Sequence, residues 1–67
     1  MSLYDYTTSL DLTMHHPPFY GLIMTAMRQA DSVNLAKLIT AWPDVYAELR
    51  ARYDAPGGKL PDDPHNH

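Results

Sequence analysis

The spacing of apolar side chains divides the chain into segments of different period. Residues 4–14 alternate: Tyr4, Tyr6, Thr8, Leu10, Leu12 and Met14 fall on one side, and Asp5, Thr7, Ser9, Asp11 and Thr13 on the other. Period two is the signature of a half-buried strand. No second run alternates in the same way, and a lone strand leaves its ladder N–H and C=O groups without partners. Two readings stay open. The strand pairs with its counterpart in another copy, or the segment lies as an extended arm on the helices.

After this segment the period becomes helical. Pro17 and Pro18 suit the first turn of a helix, where a missing N–H is no loss. Phe19, Leu22, Ile23, Ala26, Met27 and Ala30 then recur at helical spacing and give an apolar stripe over 17–30. Tyr20 and Met24 form a second, softer strip with Arg28 one turn further on, and a partner could cover it. Gly21 lies between the two faces, costs about 1 kcal/mol of helix propensity against alanine, and admits a close backbone approach.

Asp31 or Ser32 caps a second helix over 32–41, which carries Leu35, Leu38 and Ile39 and leads into Trp42. Pro43 opens a third over 43–53, with Asp44 in the first turn and Arg50 and Arg52 in the last turns, as the helix dipole favours. Its apolar positions are Val45, Tyr46, Leu49 and Tyr53, and Glu48 precedes Arg52 by four residues, a favourable pair. Ala55-Pro56-Gly57-Gly58 stops it. The expected fold is mainly α: one N-terminal strand or extended arm and three short helices in a single domain, 1–53, with 54–67 a flexible tail containing Pro, Gly and His.

Composition limits what such a chain can do. At 67 residues with no cysteine it has neither a disulfide framework nor a thiolate zinc site, and no room for a cofactor-binding α/β fold or a two-domain cleft. No cofactor is expected. One core of this size rarely supplies more than about 3–5 kcal/mol, and small chains without staples often gain the rest by association. A homo-oligomer is therefore expected. The net charge of −3 argues against a nucleic-acid polymer as partner, since that binding needs a basic footprint on phosphates. No apolar run approaches a membrane span and no export signal is visible, so the expected location is cytoplasmic.

Candidate chemistry is sparse. His15-His16 and His65-Asn66-His67 supply imidazoles without cysteine and without i, i+4 spacing, so no metal site is assigned to them. Thr7, Thr8, Ser9 and Ser32 lack a base and an orienting acid, so no catalytic residue is assigned and the chain reads as a non-enzyme. An enzymatic reading would need an intersubunit site built on His16, with turnover abolished in His16→Ala.

The aromatic and basic residues say more. Tyr20, Trp42, Tyr46 and Tyr53 can stack on a ring, and Arg28, Arg50 and Arg52 can clamp phosphate oxygens. The same residues also suit plain structural use, because Trp42, Tyr46 and Tyr53 sit where a three-helix core needs them. An acidic partner for Arg50 or Arg52 argues for structure, and a concave intersubunit setting argues for a site.

Ala30-Asp31, Asn34-Leu35, Leu38, Ala41-Trp42-Pro43, Glu48-Leu49 and Arg52-Tyr53-x-Ala55-Pro56-Gly57-Gly58 form a pattern from about Phe19 to Leu60. It resembles that of a group of small proteins encoded in tailed-phage and prophage genomes, with Trp42 where those proteins usually have Phe. In strategy the chain is also similar to very short, oligomeric phage proteins that sequester the nucleotide signals of bacterial antiviral systems. These likenesses imply an anti-defence protein of the host cytoplasm that binds a small anionic nucleotide-derived signal between subunits, without catalysis. Arg28, Arg50, Arg52 and His16 would contact phosphates, Tyr20 or Tyr53 would stack on the base, and Tyr4, Tyr6, Leu10, Leu12 and Met24 would face other subunits. The alternative is a small interaction module that regulates a host or phage protein, such as a defence protein.

Overall fold

The structure, a computed structural model, describes residues 1–61 and 63. Four helices follow one another: α1 (Leu3–Thr13), α2 (Phe19–Gln29), α3 (Ser32–Ala41) and α4 (Pro43–Asp54), the last continued by a 3₁₀ turn at Pro56–Gly58. The mainly helical expectation holds, with close agreement on the three helices over 19–54. The N-terminal strand does not, for there is no strand among the described residues and the alternating segment is α1.

Local chemistry explains the reversal. The Ser2 hydroxyl accepts from the Asp5 N–H at 3.1 Å, and the Asp5 carboxylate accepts from the Ser2 N–H at 3.0 Å, a reciprocal capping box that starts a helix. The hydroxyls of Thr7, Ser9 and Thr13, which would otherwise compete for backbone groups, donate back to the carbonyls of Tyr4, Tyr6 and Ser9. With no second strand among the described residues to complete a ladder, the helix is the conformation that satisfies this backbone internally. In helical register the apolar set becomes Leu3, Tyr6, Leu10 and Met14, within about 80° of one another at 3.6 residues per turn. Tyr4 and Leu12 fall outside that strip.

His16 closes this segment with a φ of 50°, and its N–H donates to the Thr13 carbonyl. Pro18 then takes the N-cap position of α2 in extended geometry, so α2 begins at Phe19 and not within the Pro17-Pro18 pair. Pro17 cannot open the helix for a steric reason, since a residue that precedes proline is pushed out of the helical region. At Gly21 an added Cβ would lie 3.1 Å from Cγ of Pro18, so the close approach permitted here is that of the proline ring.

Helices α2, α3 and α4 pack on one another, and α4 also packs on the 3₁₀ turn. Asp31 caps α3 by accepting from the Asn34 N–H at 2.8 Å. Trp42 ends α3 and opens α4, with Pro43 in the first turn of α4. Its ring lies 6.0 Å from that of Phe19, edge-on, which ties the α3–α4 corner to the start of α2. The buried core is small: Met27 at 4% exposure and Leu49 at 8%. Ile23, Met24, Leu35, Leu38, Ile39, Val45 and Tyr46 are half-buried around it.

Helix α2 is turned about a quarter-turn from its expected setting. Met27 points inward between Ile23 and Met24, whereas Phe19, Leu22 and Ala26 of the expected inner stripe are exposed. The stripe is wide enough to be buried on either flank, and α4 takes the flank nearer Met24. Helix α1 packs on no other element. The radius of gyration is consequently 14.0 Å, with extents of 42 × 28 × 18 Å, against roughly 11 Å for a compact chain of this length.

Candidate functional site

Among the described residues of the body built by α2, α3 and α4, two hollows lie on different flanks of α4. The larger, about 320 Å³, is floored by Met27, Leu35 and Leu49 and edged by Arg28, Arg50, Tyr46 and Tyr53. Helix α4 supplies Tyr46, Leu49, Arg50 and Tyr53 at i, i+3, i+4 and i+7, which places them on one face. The last turn of α2 brings Met27 and Arg28 alongside, and α3 contributes Leu35. That volume is at the lower end of what small-molecule sites occupy.

Neither Arg28 nor Arg50 forms an ion pair or side-chain hydrogen bond with any described residue. No carboxylate lines the hollow. Two guanidinium groups beside two phenol rings over an apolar floor can clamp an anion and stack a flat ring. The smaller hollow, about 220 Å³, is lined by Tyr20, Met24, Val45, Asp44 and Glu48 and is acidic in character. The chain thus separates charge across α4, with free cations on one flank and carboxylates on the other.

Arg52, expected among the ligand contacts, is engaged elsewhere. Its Nε donates to Glu48 Oε2 at 3.0 Å, Nη1 to the Gly58 carbonyl and Asp63 Oδ2 at 2.8 Å each, and Nη2 to Asp63 Oδ1 at 2.7 Å. Asp63 first, then Glu48, raises its pKa above the ordinary arginine value, so the guanidinium is a permanent cation with its donors committed. The acidic partner that argues for a structural role is present at Arg52 and absent at Arg50. The Leu60 N–H donates to the same Asp63 carboxylate at 2.9 Å, so the start of the expected tail is folded back onto α4.

The other expected residues are dispersed. Tyr53 edges the large hollow, Tyr20 lines the small one, and His16 lies in the connection between α1 and α2, among the linings of neither. Of the expected interface residues, Tyr4, Tyr6, Leu10 and Leu12 are exposed on α1, whereas Met24 is half-buried beside Val45. His65 and His67 lie outside the described residues. Among those described, no three His, Asp or Glu side chains converge as metal ligands, and no helix is long and apolar enough to cross a membrane. Tyr46, offered by the sequence both to the core and to ring stacking but not counted among the ligand contacts, lies on the rim, and its i, i+4 relation to Arg50 places both on one edge.

Comparison with protein-family models, with curated proteins and with solved structures finds no match.

Proposed function

We propose that the chain is a non-enzymatic binding protein that captures a small anionic, ring-bearing molecule of the nucleotide-derived kind in the hollow between α2 and α4. The observation that carries this reading is the pair Arg28 and Arg50, unpaired at one concave surface of a chain whose net charge is −3. An arginine left without a carboxylate beside an apolar floor keeps its donors available to an anion, and Tyr46 and Tyr53 add faces for a base. No serine, cysteine, histidine or carboxylate lines the hollow to activate a nucleophile, so capture and not turnover is the activity proposed. The phage resemblance supplies a setting: sequestration of a nucleotide immune signal in an infected cell.

Calorimetry against cyclic oligonucleotides and ADP-ribose derivatives tests this. Saturable heat is expected from at least one of them, with binding weakened about tenfold or more in Arg28→Gln and Arg50→Gln, since a hydrogen bond to a charged group is worth roughly 1.5–3 kcal/mol. No heat with any of the panel would remove the proposal.

A second reading, a protein interaction module, is favoured by α1, whose apolar strip is covered by no other helix among the described residues. Its test is capture of a stable partner that is lost in Tyr6→Asp.

A further inference from the structure

Helix α1 presents the clearest unmet requirement in the molecule. Leu3, Tyr6, Leu10 and Met14 share one face and are 76%, 62%, 48% and 76% exposed, respectively. A helix of 11 residues that packs on no other described element is marginal in water, because its backbone ordering is not offset by tertiary burial. Something has to cover that face for the helix to persist.

Charge selects among the candidates for its cover. The segment 1–18 contains Asp5 and Asp11 and no lysine or arginine, and Asp11 borders the apolar strip, about 60° from Met14. Pairing α1 with α1 through this strip would leave Asp11, at its border, with no cation to face, since the segment holds no lysine or arginine. The hollow between α2 and α4 offers the complement: an apolar floor of Met27 and Leu49 with the unpaired cations Arg28 and Arg50 at its edge. The chain's own α1 is held away from it. Pro17 and Pro18 fix an extended connection after the left-handed His16, and that connection enters α2 at Phe19. Met27 and Arg28 lie roughly 12–14 Å further along the α2 axis.

We propose that two copies exchange their α1 helices, each seating its Leu3–Tyr6–Leu10 face in the other's hollow with Asp11 against the Arg28–Arg50 edge. The exchange is reciprocal and therefore closes as a two-fold dimer, with no open end from which a filament could grow. It shares its arginines with the proposed ligand site, so an anionic ligand and the incoming α1 compete, and ligand binding releases the helix. It does not depend on that ligand: the assembly is measured with no nucleotide present, and a chain that binds no nucleotide can still exchange α1.

Size-exclusion chromatography with light scattering on the full chain, at several concentrations and in nucleotide-free low-salt buffer, is the test. The expected mass is twice the 7.6 kDa of one chain. Leu10→Asp is expected to give the single-chain mass while circular dichroism still shows a folded body, since Leu10 touches no other element. Asp11→Lys and Arg50→Glu are each expected to weaken the dimer by about tenfold, and the two together to restore it. Wild-type protein at the single-chain mass at every concentration would overturn the proposal, and so would a dimer indifferent to Leu10→Asp. Charge reversals that weaken assembly singly and are not rescued in combination would also overturn it, because they would place α1 on some other surface.

Discussion

Arginine usage divides at a single turn of α4. Arg50 and Arg52 are two residues apart and therefore point to different sides, one to an open hollow and the other to Glu48, Gly58 and Asp63. Sequence alone grouped them, because both are basic residues near a helix end. The pairing of Arg52 with Glu48 was legible from i, i+4 spacing, but the carboxylate of Asp63 lies across a turn whose path is set by Gly57 and Gly58 at φ of 63° and 70°. Arg52→Gln is expected to raise the hydrogen-exchange rate at the Leu60 amide, which rests on the Asp63 carboxylate. It should leave affinity at the hollow unchanged, because Arg52 does not line it. Gly57→Ala is expected to disturb the same turn through its left-handed backbone, at about 1–2 kcal/mol, and protease mapping of residues 55–61 would register both changes.

Among the elements, those with punctuation were legible and those defined by partners were not. Asp31 as a cap, Pro43 at a first turn and the glycines after α4 fix their helix ends through local chemistry, and the structure places those ends within a residue or two of the expected bounds. The alternating segment misled because six residues of period two also contain a helical strip, and the box formed by Ser2 and Asp5 decides between them. Ser2→Ala removes that box. It is expected to destabilise α1 by about 0.5–2 kcal/mol, seen as lost helical signal in circular dichroism at low concentration. At concentrations too low for the exchanged dimer the melting temperature of the body should not move, because within one chain α1 shares no packing with it. The setting of α2 was illegible for another reason: its apolar arc is wider than α3 and α4 can cover, so the buried flank is chosen by the neighbours and not by the helix.

For the molecule as a whole, stability rests on very few side chains. Only Met27 and Leu49 are buried among the described residues, and each joins α2 to α4. Leu49→Ala is expected to cost about 2–5 kcal/mol, comparable with all that a core of this size supplies, so thermal melts should lose their cooperative transition at micromolar concentration. The same scarcity explains why length and composition pointed to association before any helix was placed. Trp42, the sole tryptophan, stands at the α3–α4 corner against Phe19, away from the linings of both hollows and from α1. The protein therefore carries a built-in fluorophore that reports the integrity of the body alone. Its emission should shift to the red when the three helices separate and stay constant when the hollow fills or α1 is displaced, so folding and occupancy can be read in one cuvette as separate signals.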